Sequence, residues 1–327
     1  MTKPVVVSLF SGAGGLDLGF KKAGFQIVWA NEYDKSIGKT IQANFPRTVL
    51  DQRSIVSIPS AEVPDCDGII GGPPCQSWSE AGARRGINDH RGQLFFEYIR
   101  FLRDKQPKFF LAENVSGLLF KRNSTALENI LGEFDRVGYH VEKFLLNAAD
   151  YNVPQDRERV IIVGYQKSLG LRFSPPKPSR TKRTLKDAIW DIRKSAVPAA
   201  GSNRANPLCK FANHEYATGS FSFIYMSRNR VRGWQDQSFT IQAGARHAPI
   251  HPNAPPMVKV GVNKRIFAPG HEPRRLTVRE CARIQTFPDD HQFIYGSVMD
   301  GYKMIGNAVP VEFARQLAKQ IKRDLGT

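Results

Sequence analysis

Four cysteines occur in this chain, Cys66, Cys75, Cys209 and Cys281, and one of them stands in a setting made for reaction. Gly71-Gly72-Pro73-Pro74-Cys75-Gln76-Ser77-Trp78-Ser79 follows the apolar run Gly68-Ile69-Ile70-Gly71. Two prolines fix the direction in which Cys75 leaves the strand end. Open α/β sheets bind ligands at the carboxyl edge of their strands, and a thiolate there can act as a nucleophile. The other three cysteines read as buried fillers, since their spacing forms neither a CxxC metal pair nor a disulfide framework. No metal site is expected. Glu113 ends a second apolar run, Phe109-Phe110-Leu111-Ala112, and so reaches the same sheet edge. A carboxylic acid beside a thiolate suits addition to a ring, the acid protonating or hydrogen-bonding a ring nitrogen as sulfur attacks. Arg157 and Arg159, in Gln155-Asp156-Arg157-Glu158-Arg159, occupy alternate positions and point the same way. They could hold a carbonyl or a phosphate, and a surface ion-pair cluster would fit equally.

A third feature lies at the start of the chain. Val5-Val6-Val7-Ser8-Leu9-Phe10 reads as a buried strand, Ser11-Gly12-Ala13-Gly14-Gly15 as a tight turn, and residues 16–24 as a short helix closed by Gly24. Ile27-Val28-Trp29-Ala30 is a second strand, ending at Asn31-Glu32. Glycines that let the backbone approach a ligand, with a carboxylate for ribose hydroxyls, make a nucleotide-like cofactor site. Gly12-x-Gly14-Gly15 departs from the strict GxGxxG spacing, and a nicotinamide oxidoreductase fits this loop as well.

The elements that must position these residues alternate along the first half. Apolar strands, the last at Val160-Ile161-Ile162-Val163, are separated by amphipathic stretches, which implies a parallel sheet covered on both faces. The rhythm stops near residue 170 and returns at about 302, with a helix over roughly 310–325. The net charge of +17 is concentrated. Residues 1–170 carry 21 basic and 19 acidic side chains, residues 171–285 carry 21 and 6, and residues 286–327 carry 5 of each. Such a basic block suits a polyanion, because neutralising phosphates releases counterions. No run of about 18 apolar residues is present, so no membrane span is expected. Met1-Thr2-Lys3-Pro4 lacks the layout of a signal peptide, and the expected location is cytoplasmic.

Taken in order, SLFSGAGGLDLGF (8–20), GGPPCQSWSE (71–80), AENV (112–115), QDRER (155–159), RRLTVRECARIQ (274–285) and GNAVP (306–310) resemble the cytosine-5 DNA methyltransferases. The resemblance spans residues 5–315 and is strongest to the bacterial modification enzymes of type II restriction systems. It implies a class I S-adenosylmethionine-dependent (Rossmann-like) α/β sheet formed by 1–170 and 300–327, with a smaller irregular target-recognition domain at 171–299. Cytosine would be flipped from duplex DNA, Cys75 would add to carbon 6, Glu113 would contact N3 and the exocyclic amine, and Arg159, with Arg157 nearby, would hold the base oxygen or its phosphate. The methyl donor S-adenosyl-L-methionine would lie against Phe10, Ser11, Gly12, Ala13, Gly14, Gly15 and Leu16. Glu32 would take its ribose, with Tyr33, Ser54, Ile55 and Pro73 alongside, and Asn307 and Val309 would complete the pocket. A monomer is expected, with a restriction endonuclease as a genetic rather than a physical partner.

Two positions depart from the family pattern. The acidic residue that usually accepts the adenine amine is replaced by Ser54, with Asp51 as a substitute acceptor, and Thr286 stands where relatives often have glycine. For reading DNA the candidates are Gln76, Ser77, Arg228, Asn229, Arg230, Arg232, Gln242 and Arg246, with Ile224 as a wedge into the space left by the flipped base. Their context resembles enzymes that modify palindromes of GG and CC, GGCC first among them. Two rivals stay open from sequence: a tRNA cytosine-5 methyltransferase of the same family, and a non-catalytic DNA-binding regulator.

Overall fold

The computed structural model describes residues 3–74 and 90–327. The chain divides into two compact units: residues 1–147, 158–178 and 313–327, and residues 148–157 with 179–312. The C-terminal residues therefore belong to the first unit only from Phe313 onward.

The first unit is a seven-stranded sheet: β1 (Val5–Leu9), β2 (Gln26–Asn31), β3 (Val49–Asp51), β4 (Gly68–Gly71), β5 (Phe109–Val115), β6 (Tyr139–Asn147) and β7 (Glu158–Gln166), in the order β3-β2-β1-β4-β5-β7-β6. The first five strands pair in parallel. At β7 the sheet departs from the expected all-parallel pattern, because β7 runs antiparallel to both β5 and β6. Val160–Val163 is equally apolar in either direction, so sequence pattern carries no sign of this reversal. The reversed edge sets Glu113 of β5 opposite Ile161 and Val115 opposite Arg159.

Helices α1 (Gly15–Ala23), α2 (Lys35–Asn44), α3 (His90–Lys105), α4 (Ser124–Arg136) and, from the far end of the chain, a helix over Val311–Asp324 accompany this sheet. Two consecutive residues show that both faces are covered. Phe109 stacks on Phe20 of α1 at 6.2 Å, and Phe110 on Phe134 of α4 at 4.4 Å. Successive strand residues face opposite sides, so a sheet buried on both needs an apolar residue at every position. Tyr165 of β7 donates to Asp324 Oδ2 at 2.7 Å, holding the terminal helix.

The second unit is irregular, as its weak periodicity implies. It contains α5 (Leu185–Ile189), α6 (Val278–Ile284) and α7 (Val298–Asn307), the parallel pair β8 (Val197–Pro198) and β9 (Glu215–Tyr216), and the hairpin β10 (Met257–Gly261) and β11 (Lys264–Phe267). Buried loops leave carbonyls without ladder partners, and buried arginines satisfy them here. Arg275 donates to the carbonyls of Gly219 and Ser220, and Arg279 to those of Ala212, Pro288 and His291. The helix at Val278 starts on a capping box, Thr277 with Glu280, and Arg274 grips the buried Glu280 through both carboxylate oxygens at 2.7 Å.

Thr286 has φ +61°, the left-handed region that a β-branched residue rarely adopts. Its hydroxyl accepts the Glu312 N–H at 2.8 Å, at the start of the terminal helix, α8 (Val311–Asp324). This gives the departure at Thr286 a physical meaning: glycine would relieve the backbone, and threonine supplies a cap instead.

Candidate active site and cofactor loop

The end of β5 organises the candidate catalytic edge. Glu113 Oε1 pairs with Arg159 Nε at 2.8 Å, and both side chains are nearly buried. Asn114 is buried too. Its Nδ2 donates to the Pro73 carbonyl at 2.9 Å, while its Oδ1 accepts the Val115 N–H at 2.9 Å. At Gly72 a Cβ would stand 3.3 Å from Glu113 Oε2, so the Gly72-Pro73-Pro74 turn passes directly over the carboxylate. The residue following this turn is Cys75. Cys75, Gln76 and Ser77 lie outside the described residues, yet the turn that launches the cysteine is fixed beside Glu113 by Asn114. Asn114 carries no role in the expectation from sequence, although its place directly after the strand-end glutamate was the available signal.

Arg157 and Arg159 do not share a target. Arg159 serves Glu113 in the first unit. Arg157, 1% exposed, donates to the carbonyls of Ile241, Gly306 and Ala308 in the second. The alternation that suggested a common direction breaks because β7 begins at Glu158, leaving Arg157 outside the strand.

The glycine loop joins β1 to α1. Gly14 is the N-cap of α1 at φ +79°, and the first turn has no side-chain cap. Gly12, at φ +56°, has open space where a Cβ would be, the clearance that close approach of a ligand requires. Phe10 also has a positive φ, +56°. Glu32 is held at the mouth of the loop: Oε2 accepts the Gly12 N–H and Oε1 the Asp34 N–H, both at 2.8 Å. These two bonds fix the carboxylate beside the loop. Tyr33 is 69% exposed beside it, Ile55 and Leu16 are buried, and Pro73 is buried at the end of β4. The loop fits a nucleoside-type group with ribose hydroxyls.

Beneath this loop lies a feature that the sequence reading missed. Asp17 of α1, fully buried, accepts from Ser11 Oγ at 2.7 Å and from Ser8 Oγ. Burial pushes its carboxyl up to about 6, against the lowering effect of the two serines and with a raising contribution from Glu32. Strand, loop and helix are thereby tied at one point.

Asp51 is engaged by Arg53 through Nε at 3.1 Å and Nη2 at 2.6 Å, and the Arg53 hydrogen bond lowers its carboxyl from the usual value. Ser54 makes no side-chain cap bond at the head of its 3-10 turn.

Apart from Gln76 and Ser77, which lie outside the described residues, the candidate DNA-reading residues belong to the second unit, and their surroundings separate them. Arg230 stacks on Tyr225 at 4.7 Å and donates from Nε to the Tyr225 carbonyl at 2.8 Å. Arg232 packs over Phe239 and reaches Asp156 at 3.2 Å. Asn229 turns back on Val231. Arg228, Gln242 and Arg246 are exposed. Ile224 is 73% exposed, and so is the neighbouring Phe223, at 68%, which sequence reading passed over. Asn307 closes α7 exposed to solvent, and Val309 is buried within the same unit.

The family model for C-5 cytosine-specific DNA methylases matches residues 5–323. The type II methyltransferase M.NgoPII of Neisseria gonorrhoeae is 57% identical over 98% of this chain and 96% of its own length. M.FnuDI of Fusobacterium nucleatum is 55% identical over 98% and 94%. Among solved structures, a prophage-encoded protein of E. coli, assigned as a DNA modification methyltransferase, superposes with a TM-score of 0.74 at 26% identity over 99% of this chain and 100% of its own. Spodoptera frugiperda DNMT2 gives 0.73 at 20% identity, covering 98% and 99%, a likeness of fold. The doubly wound sheet, the glycine loop, the anchored Pro-Pro turn beside Glu113 and the match along nearly the full chain place this protein in the C-5 cytosine-specific DNA methylase family, as a DNA cytosine-5-methyltransferase.

Proposed function

We propose that the chain is the modification enzyme of a type II restriction system, methylating a flipped cytosine in a short palindrome of double-stranded DNA, GGCC first among the candidates. The observation that carries the chemical part is the Glu113–Arg159 pair beneath a turn pinned by Asn114 one residue before Pro74 and two before Cys75. The relatives named as type II methyltransferases support the biological part.

The Cys75 thiolate adds to carbon 6 of the ring. Glu113 hydrogen-bonds N3 and the exocyclic amine, and Arg159 fixes the carboxylate in the orientation this needs. The electron pair of the 5,6 double bond moves to carbon 5. S-adenosyl-L-methionine, when bound, supplies the electrophilic methyl group that carbon 5 takes. A base then removes the carbon-5 proton, and the thiolate leaves. Gly12, Gly14 and Gly15 with Phe10, Ser11, Ala13 and Leu16 hold the donor, Glu32 takes its ribose, and Ser54 accepts from its adenine beside Tyr33 and Ile55. Ile224 fits the space that a flipped base leaves, and Arg228 and Arg246 are the guanidinium groups presented to guanine. The protein works as a monomer on cytoplasmic DNA, its endonuclease a genetic partner.

Incubating plasmid with the purified protein and S-adenosyl-L-methionine, then mapping 5-methylcytosine by bisulfite sequencing, tests this reading. Modification of one cytosine in each GGCC is expected. Methyl transfer to tRNA in preference to duplex DNA would overturn it.

A further inference from the structure

Three segments of the second unit, distant in sequence, are joined at Arg157. Its Nη1 donates to the Ile241 carbonyl at 3.0 Å, and its Nη2 to the carbonyls of Gly306 at 2.9 Å and Ala308 at 3.0 Å. Gln155, also buried, reinforces the joint. Its Oε1 accepts the Ile241 N–H at 3.0 Å, and its Nε2 donates to Gln285 Oε1 at 3.2 Å. Gln285 in turn donates to the Ile305 carbonyl at 2.8 Å. Gly306 allows the closest approach: a Cβ there would overlap the Gln242 carbonyl and the Ala243 nitrogen, so the two backbones touch. Ile241 is thus held through both its N–H and its C=O, against a buried helix end. Directly after it come the exposed Gln242 and, four residues on, the exposed Arg246.

We propose that Arg157 is a positioning residue for sequence recognition. It fixes the origin of the loop 241–246, and with it the register in which Gln242 and Arg246 meet the bases. The proposal rests on the reading above, in which these two side chains face DNA. Base readout depends on hydrogen-bond geometry at the groove edge, whereas phosphate contact tolerates displacement. A loop whose root shifts therefore loses discrimination before it loses affinity for DNA in general. Guanidinium suits the role because its planar fork serves three carbonyls at once. Lysine, a single point of charge, cannot bridge them.

The test compares methylation of the mapped site with methylation of a duplex differing by one base pair, as a ratio of kcat/KM, alongside the Kd for random duplex. Arg157→Lys and Gln155→Leu are each confirmed as folded by thermal melting. The expected result is a fall of roughly ten-fold or more in the ratio, within the range that one good base contact supplies, while random-duplex Kd stays within about three-fold. A group acting on the reacting base would slow both duplexes alike, so an unchanged ratio in either folded variant overturns the proposal. Arg246→Ala checks the underlying reading separately. If it too leaves the ratio unchanged, the assignment of the loop to DNA fails. If it lowers the ratio while Arg157→Lys does not, only the positioning role fails. Should Arg157→Lys not fold, Gln155→Leu decides.

Discussion

Arg159 Nε lies 2.8 Å from Glu113 Oε1, both side chains being about nine-tenths buried, so the carboxylate proposed to contact the base has a fixed, charged neighbour. Removing one partner of a buried pair leaves the other uncompensated, at a cost of roughly 3 kcal/mol. Arg159→Ala is expected to lower single-turnover methyl transfer by about a hundred-fold, the lower end of general acid–base contributions. Arg159→Lys should recover only part of this, because it keeps the charge without the Nε geometry. Rapid-quench measurement of methyl transfer checks both, and full activity in Arg159→Ala would contradict the role given to the pair.

Asn114 tests whether the turn before Cys75 is held or merely adjacent. Asn114→Asp preserves size and loses the donor to the Pro73 carbonyl. An unsatisfied buried carbonyl costs about 1–3 kcal/mol. The expected outcome is a kcat reduced at least about ten-fold, with KM for DNA changed much less, because geometry rather than binding is damaged. Steady-state kinetics separates the two.

Much of this site was legible because its signals are local. A cysteine after two prolines and a glutamate closing an apolar run each declare themselves within ten residues. The partners of Arg157 do not, since Ile241, Gly306 and Ala308 lie at least 84 positions away in sequence. The same holds for Arg230. Next to Arg228 in a basic run it looks like a second reader of DNA, and only the packing on Tyr225 shows it to be part of the fold. The alternating strands announced the sheet, but the direction of β7 could not be read from residues equally apolar both ways.

Asp17 makes stability depend on pH in a definite direction. Its carboxyl is raised from 3.8 to about 6 by burial, so the folded state favours the protonated form. The stabilisation from this group is fully present below the unfolded value of 3.8 and is lost as pH rises to about 6. Above that, ionised Asp17 is a standing cost of roughly 3 kcal/mol. Asp17→Asn mimics the protonated form. Urea unfolding should show the variant more stable than wild type at pH 8 and nearly equal to it at pH 4. A variant less stable at pH 8 would contradict this.

Thr286 balances strain against a cap. Thr286→Ala keeps the left-handed backbone and loses the bond to the Glu312 N–H, and should destabilise by about 1 kcal/mol. Thr286→Gly loses the same bond but relieves a strain of roughly 1–2 kcal/mol, and should lie within about 1 kcal/mol of wild type. Denaturant melts of the two variants give the order.

The arginines of the second unit should divide into two groups. Arg230→Ala and Arg232→Ala are expected to lower the melting temperature, because they remove packing on Tyr225 and Phe239. Arg228→Ala and Arg246→Ala should leave it unchanged while weakening binding to the specific site by about 1–3 kcal/mol. Differential scanning fluorimetry beside competitive DNA binding distinguishes the groups.

Cys75 is the nucleophile of the proposed reaction. A duplex carrying 5-fluorocytosine at the mapped target cytosine cannot lose a proton from carbon 5, so the adduct should persist. Wild-type protein with S-adenosyl-L-methionine should give a covalent complex, stable to denaturation, whose peptide map carries the modified base on Cys75, and Cys75→Ser should give none. A complex formed by Cys75→Ser, or attachment at any other residue, would contradict the mechanism.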